Sequence, residues 1–509
     1  MKLRKHQQEM VNLCKLILNG HPINEILAAV TPGGGKSALP VLLGKYLIPK
    51  IANKILWIVP RNSLKYQGEE EFTSSFWNTH IRLRAVNGNK YGLSNGYDGY
   101  LTTYQAIGQD PGPHWEEILK HKYIVFYDEI HHVSDNATWE RSLEPIVNNS
   151  VLNVFGSGTL SRGDGKMISF MQYEGNYIST QNTKNRKVIK YGRSMALKDN
   201  AILPVHFKTI DGYAEWQETD GEKNNAVLSK AKENSAKALY TALRTEYAYK
   251  LLKASTEDWI EYRKHKYHNS KLLIVAHDIE QAEKYKHYML KHFPNQIGGI
   301  ATSKETTNAR RAIRDYKKGF LSYLITVGMA YEGLSVPEIT HIACLTNIRS
   351  IPWLEQLFAR GNRKAPGKQC AYIYAPKDKN FIQAIETIEN EQLIALKESV
   401  LKCSETCEDA TGGTQPEWIK PLHSEIDESV LNNNIQGLNI APSQIEDELK
   451  KEIRRIKQIV KDSKGSGNGK TINNVLNMFI RAICDKSIDS MNVEELQEVY
   501  FELKKQFLD

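Results

Sequence analysis

Ile26-Leu27-Ala28-Ala29-Val30-Thr31-Pro32-Gly33-Gly34-Gly35-Lys36-Ser37 is the stretch that decides how this chain is read. Its first five residues are apolar or small, a short run suited to a strand buried on both faces of a parallel sheet. Three glycines then allow a tight turn, and a helical stretch around residues 42–47 follows. Strand, glycine loop and helix start together make a cradle for phosphate. Backbone N–H groups and the helix dipole meet the oxygens, a lysine neutralises the β- and γ-phosphates, and a hydroxyl suits Mg²⁺. Thr31, Pro32, Gly33, Gly34, Gly35, Lys36 and Ser37 are therefore the expected nucleotide loop, with Ser37 also a metal ligand. The match is relaxed, because the strict pattern has another glycine where Val30 stands.

The same rhythm continues on both sides of the loop. Short apolar runs at residues 55–59, 123–127 and 152–155 alternate with helical segments, as in a doubly wound α/β domain. It returns at residues 271–276, 323–327, 341–345 and 371–374, which predicts a second such domain. Asp128-Glu129-Ile130-His131 closes the 123–127 run. A parallel strand delivers its C-terminal residues to the ligand side of the sheet, where Asp128 can hold Mg²⁺ and Glu129 can deprotonate a water. Taken alone, an Asp-Glu after a strand reads equally well as a solvated loop.

Bulk properties bound the answer without choosing it. The 509 residues are enough for about three domains. The net charge of +8 permits a polyanionic partner without requiring one. No run approaches the roughly 18 apolar residues of a membrane span. The opening Met1-Lys2-Leu3-Arg4-Lys5-His6 has no apolar stretch after its charges, so no secretory leader is expected. Six scattered cysteines fit a reducing, cytoplasmic setting.

With these residues in order, the chain resembles the superfamily 2 helicases, of the Asp-Glu-x-His (DEAH-box) kind. The resemblance implies ATP as the nucleotide, with Gln7 in Leu3-Arg4-Lys5-His6-Gln7 reading adenine. It implies nucleic-acid contacts at Pro60, Arg61 and Gln67, at Thr103 within Thr102-Thr103-Tyr104-Gln105, and at Thr326. Ser157-Gly158-Thr159, with His131, is similar to the elements that couple hydrolysis to domain movement. Thr326-Val327-Gly328-Met329-Ala330-Tyr331-Glu332-Gly333-Leu334 resembles the fifth motif, with Gly333 at the nucleotide. Gln356-Leu357-Phe358-Ala359-Arg360-Gly361-Asn362-Arg363 resembles the sixth, placing Gln356, Arg360 and Arg363 with Lys36, Asp128 and Glu129 in catalysis. One departure stands out: the family's acidic residue after the fifth-motif glycine is Ser335 here. Glu332-Gly333 and Arg349-Ser350 are similar to restriction-type DNA translocases, which favours DNA over RNA.

The expected fold is therefore α/β, with two RecA-like parallel-sheet domains of the P-loop NTPase class and a helical C-terminal domain. The expected limits are 1–205, 206–380 with a helical lead-in at 213–268, and 381–509. The expected activity is ATP hydrolysis with Mg²⁺, coupled to movement on or unwinding of nucleic acid. Translocation on duplex DNA without unwinding, or ATP-gated binding as a subunit of a larger complex, are the alternative readings. The C-terminal domain could recruit a partner protein. Cys403, Cys407 and His423 lack the second close pair that a zinc site needs, so no zinc is expected. The basic stretch at residues 450–457 reads either as a phosphate contact or as the solvated face of a packed helix. No nuclease signature is present.

Overall fold

The computed structural model describes residues 3–134, 138–160, 166–175, 177–302, 306–327, 334–397 and 420–426, with a few positions between 450 and 499. Contacts between Cα atoms divide the chain into two units, residues 1–205 with 209–431, and residues 206–208 with 432–509. The site discussed below belongs to the first.

That unit begins with α1 (Lys5–Leu18), β1 (Glu25–Val30), α2 (Ala38–Leu47), β2 (Lys54–Val59) and α3 (Asn62–Thr73). It continues through β3 (Leu83–Ala85), β4 (Gly99–Thr103), α4 (Tyr104–Gln109), α5 (Gly112–Lys120) and β5 (Tyr123–Asp128). Then come α6 (Thr138–Asn149), β6 (Leu152–Ser157), the small pair β7 (Tyr173–Glu174) and β8 (Tyr177–Ile178), β9 (Arg186–Tyr191) and α7 (Arg193–Lys198). Seven strands form one sheet in the order β3-β4-β2-β5-β6-β1-β9, each neighbouring pair parallel.

The continuous apolar runs follow from helices covering both faces. In β5, Ile124 and Phe126 join the core beneath α1 and α2, while Tyr123, Val125 and Tyr127 join the core beneath α4 and α6. The order of strands sets the site. β6 lies between β1 and β5, so the loops that leave all three at their C-terminal ends are neighbours, and ligands bind at such a crevice.

The second domain repeats the plan. After β10 (Val205–Ile210) come β11 (Gly212–Gln217), β12 (Lys223–Val227), α8 (Ser235–Ala242) and α9 (Glu246–His265). Next are β13 (Lys271–Ala276), α10 (Ile279–His292), β14 (Gly298–Ala301), α11 (Thr306–Lys317) and β15 (Tyr323–Val327). β16 (Ile339–Leu345), α12 (Ile351–Phe358), β17 (Ala371–Pro376), α13 (Lys379–Lys397) and β18 (Lys420–Ile426) complete it. Six strands order as β10-β17-β16-β13-β15-β14, and β13, β14, β15, β16 and β17 pair in parallel. Two RecA-like domains are thus present.

Two expectations need correction. The 213–268 lead-in is not helical throughout: it opens with the antiparallel strands β11 and β12 before α8 and α9 begin. The alternation in Tyr213-Ala214-Glu215-Trp216-Gln217 explains this, with Ala214 and Trp216 fully buried and their neighbours half-buried, the period of a strand. Strands also do not stop near residue 380, since β18 adds to the far side of β11. α13 likewise packs back on the first domain, where Arg193 Nε meets Glu391 Oε2 at 3.0 Å. Most of residues 381–509, including most of the basic stretch at 450–457, lies outside the described residues.

Candidate nucleotide site between the two domains

A cavity of about 690 Å³ opens between the two domains. The first contributes Thr31, Pro32, Gly33, Gly35, Lys36 and Ser37 after β1, and Asp128 and Glu129 at the end of β5. The second contributes Ser335, Gln356, Arg360 and Arg363. The structure therefore gathers all six residues expected in catalysis.

The loop after β1 has the backbone that only glycine readily gives. Gly33 and Gly35 lie in the left-handed region, at φ 82° and 92°. A Cβ on Gly34 would come 2.8 Å from the Thr31 carbonyl oxygen, too close for any side chain. The start of α1 clasps this loop from outside. The Arg4 guanidinium donates to the Gly34 carbonyl and, at 3.4 Å, to that of Gly33. The Gln7 amide nitrogen donates to the Gly35 carbonyl at 3.3 Å, while its oxygen accepts from the Arg4 N–H at 3.0 Å. Arg4 is a loop contact that sequence reasoning missed, although it stands within the quoted adenine-reading segment.

Lys36 extends over β6. A Cβ on Gly156 would sit 3.3 Å from Lys36 Cδ, so glycine there leaves the lysine its path. Its ammonium reaches Asp128 Oδ1 at 2.9 Å and also pairs with Glu129. Burial acts to raise the Glu129 pKa, but Lys36, His131 and the Gly158 N–H overcome it and hold this carboxyl down at about 2. Asp128 moves the other way, raised by burial and by repulsion from Glu129 against the pull of Lys36. Burial disfavours the Lys36 ammonium, yet the two carboxylates raise its pKa on balance. Glu129 adopts left-handed backbone at φ 50°, a conformation that costs a non-glycine residue energy and that clusters at functional sites.

Behind the carboxylates, one histidine bridges the domains. Gln356, on α12, donates its amide N–H to His131 Nε2 at 3.3 Å. The other ring nitrogen, Nδ1, lies 2.9 Å from Ser157 Oγ, 3.4 Å from Thr159 Oγ1 and 3.4 Å from Glu129 Oε2. Ser157 and Thr159 thus share one network with the acidic pair. Gly158 between them meets the phosphate loop, since a Cβ there would lie 2.9 Å from Pro32 Cγ.

Both arginines of the second domain reach the segment that leads into β16. Arg360 Nη1 donates to the Leu334 carbonyl at 3.3 Å, and Arg363 Nη1 donates to the Ser335 hydroxyl. Asn362, between them, is fully buried against the phosphate loop, and a Cβ on Gly33 would come 2.7 Å from its Oδ1.

The other expected residues are placed differently. Pro60 and Gln67 line the same cavity, joined by Leu64, and Arg61 precedes α3 as its N-cap. Thr103 is buried and its hydroxyl accepts from the Ala106 N–H at 3.1 Å, capping α4. Thr326 is fully buried, with its hydroxyl donating to the Val327 carbonyl at 3.1 Å. Gly333, Cys403 and Cys407 lie outside the described residues. His423 sits on β18, 3.0 Å from Glu425 Oε1. Among the described residues no helix is long and apolar enough to cross a membrane.

Residues 1–160 match the family model for the type III restriction enzyme, res subunit. An uncharacterized protein of Mycobacterium tuberculosis is 25% identical over 370 residues, covering 72% of this chain and 60% of that protein. The ATP-dependent DNA helicase uvsW of Enterobacteria phage T4 is 24% identical over 356 residues, covering 67% of this chain and 62% of the helicase. The chain thus spans about 60% of the length of such relatives. Among solved structures, the ATP-dependent type ISP restriction-modification enzyme LlaBIII bound to DNA superposes with a TM-score of 0.50 at 13% identity, covering 98% of this chain and 37% of that one. The chain is thus similar to superfamily 2 helicases, through the res-subunit model over its first 160 residues and through a phage DNA helicase over two thirds of its length.

Proposed function

We propose that this chain is a nucleic-acid-stimulated ATPase, a motor that couples ATP hydrolysis to movement on nucleic acid, with DNA as its track. The observation that carries the reading is the two-sided cleft. Lys36, Asp128 and Glu129 come from one domain, Gln356, Arg360 and Arg363 from the other, and Gln356 is hydrogen-bonded to His131 across the gap.

The residues fit a nucleotide and its metal. Left-handed backbone at Gly33 and Gly35 lets the loop turn tightly enough to offer N–H groups to phosphate, and Lys36 would carry its charge once drawn from the carboxylates. The Ser37 hydroxyl and the Asp128 carboxylate are the hard oxygen donors that Mg²⁺ takes. A Mg²⁺ held there would neutralise charge on the β- and γ-phosphate oxygens. Glu129, kept ionised at neutral pH, accepts a proton from the attacking water. Arg360 and Arg363 supply positive charge from the opposite wall, so the site is complete only when both domains face the nucleotide. His131 reports that closure to Ser157 and Thr159 through one hydrogen-bond network.

The res-subunit match and the relationship to a phage DNA helicase support DNA over RNA. Steady-state ATP hydrolysis, alone and with single-stranded DNA, duplex DNA or RNA, tests the reading. Stimulation of at least about tenfold by DNA, abolished in Lys36→Ala, is the expected result. Turnover indifferent to every polymer would refute it.

A further inference from the structure

Lys368 has no place in the motifs above, yet it lies at the centre of the second domain's half of the cleft. It is 5% exposed. Its ammonium donates to four backbone carbonyls: Gly361 at 2.5 Å, Arg363 at 2.9 Å, Pro337 at 2.8 Å and Ile339 at 2.6 Å. Among the described residues no carboxylate lies within ion-pair distance of it. A buried ammonium is costly unless its hydrogens are satisfied, and here four oxygens converge on three hydrogens. Burial pushes its pKa down to about 7. The carbonyl dipoles act in the opposite direction, because they favour the charged form.

The identity of those carbonyls matters more than their number. Gly361 and Arg363 flank Asn362, so the amine grips the turn that carries Arg360 and Arg363. Pro337 and Ile339 belong to the segment that leads from Leu334 and Ser335 into β16. Those two residues are the acceptors for Arg360 and Arg363. One nitrogen atom therefore ties the Gly361 and Arg363 carbonyls to the segment that receives the two arginine side chains. On its other side the gripped turn presses Asn362 on Gly33 of the phosphate loop. A methionine would fill the same space without the desolvation cost, but it could not gather the carbonyls.

We infer that Lys368 is a positioning residue for the arginine turn and acts chiefly through Arg363, whose own carbonyl it holds, setting the angle from which that side chain reaches the nucleotide. The inference rests on the ATPase reading above. It requires that Lys368 act through the arginines and not merely through fold stability, and a double-mutant cycle separates the two. DNA-stimulated kcat, equilibrium ATP affinity and the unfolding midpoint are measured for the full chain, Lys368→Met, Arg363→Ala and the double variant. Lys368→Met should lower kcat at least roughly tenfold while ATP affinity changes less than about threefold. In the Arg363→Ala background the same change should cost less than about twofold. If Lys368→Met does not fold, Lys368→Arg enters the cycle instead. Its planar fork keeps the charge but cannot meet four converging oxygens, and its loss should vanish equally in the Arg363→Ala background. Losses that multiply fully, or a folded Lys368→Met with unchanged kcat, would overturn the inference while leaving the ATPase reading intact. A wild-type chain without turnover would overturn both.

Discussion

The two walls of the cleft are charged on different principles. On the first-domain wall, Lys36 is neutralised by Asp128 and Glu129, and all three are largely buried. On the second-domain wall, Arg360 donates to a carbonyl and Arg363 to a hydroxyl. The first wall is closed on itself and must be opened by something that competes for Lys36. The second presents two guanidinium groups, which a polyphosphate held on the first wall can meet only when the domains face each other. In this account the asymmetry gives ATP a reason to close the cleft and hydrolysis a reason to release it.

The largest break should come from the self-neutralised wall. Glu129→Gln removes the base and keeps the shape, so hydrolysis should fall by roughly 10²–10⁴-fold while ATP still binds. Turnover and nucleotide affinity measured side by side check this, and retained turnover would remove Glu129 from that role. On the opposite wall, Ser335→Asp would place a carboxylate where Arg363 now meets a hydroxyl. That pairing should hold the arginine away from the nucleotide and lower kcat by about tenfold, which corresponds to about 1.4 kcal/mol. An increase in kcat would show that Ser335 is a deficit and not an adaptation.

Smaller effects lie where the walls touch their supports. Gly158→Ala pushes a methyl group against Pro32, so it should raise the ATP KM several-fold, by roughly 1 kcal/mol or less, with little loss of folding stability. A scan of KM against unfolding midpoint separates those two outcomes. Burial also holds His6, beside the phosphate loop, and His114, beneath the first sheet, neutral, each with its pKa lowered to about 4. Because the folded values lie below the unfolded one, their contribution is complete above about pH 6.5 and is lost as pH falls towards 4. Stability should therefore decline across that window by up to roughly 3 kcal/mol for each histidine. Urea unfolding of wild type and His114→Gln at pH 7 and pH 5 tests it, and equal declines in both proteins would contradict the assignment to His114.

The two walls also differed in how far the sequence revealed them. Residues 31–37 and 128–129 follow apolar runs so continuous that only buried parallel strands accommodate them. The central strands and the first wall could therefore be read directly. Arg360 and Arg363 were legible through their spacing from Gln356, but not their neighbours. Lys368 reads as an ordinary surface lysine until Gly361, Arg363, Pro337 and Ile339 fold around it. Gly158 reads as a variant of a familiar triplet until Pro32 is seen beside it. β11 was hidden for a related reason. Its burial depends on pairing with Ser424 and Glu425, more than 200 residues away, and no local periodicity announces such a partner.

The measurement that bears most directly on the two-walled site is Arg363→Ala, read both for ATP affinity at equilibrium and for DNA-stimulated turnover. If the second domain completes the site only around the reacting phosphate, affinity should stay within about threefold while kcat falls by roughly 10³-fold. Turnover equal to wild type would contradict that account and leave the first domain as a self-sufficient ATPase.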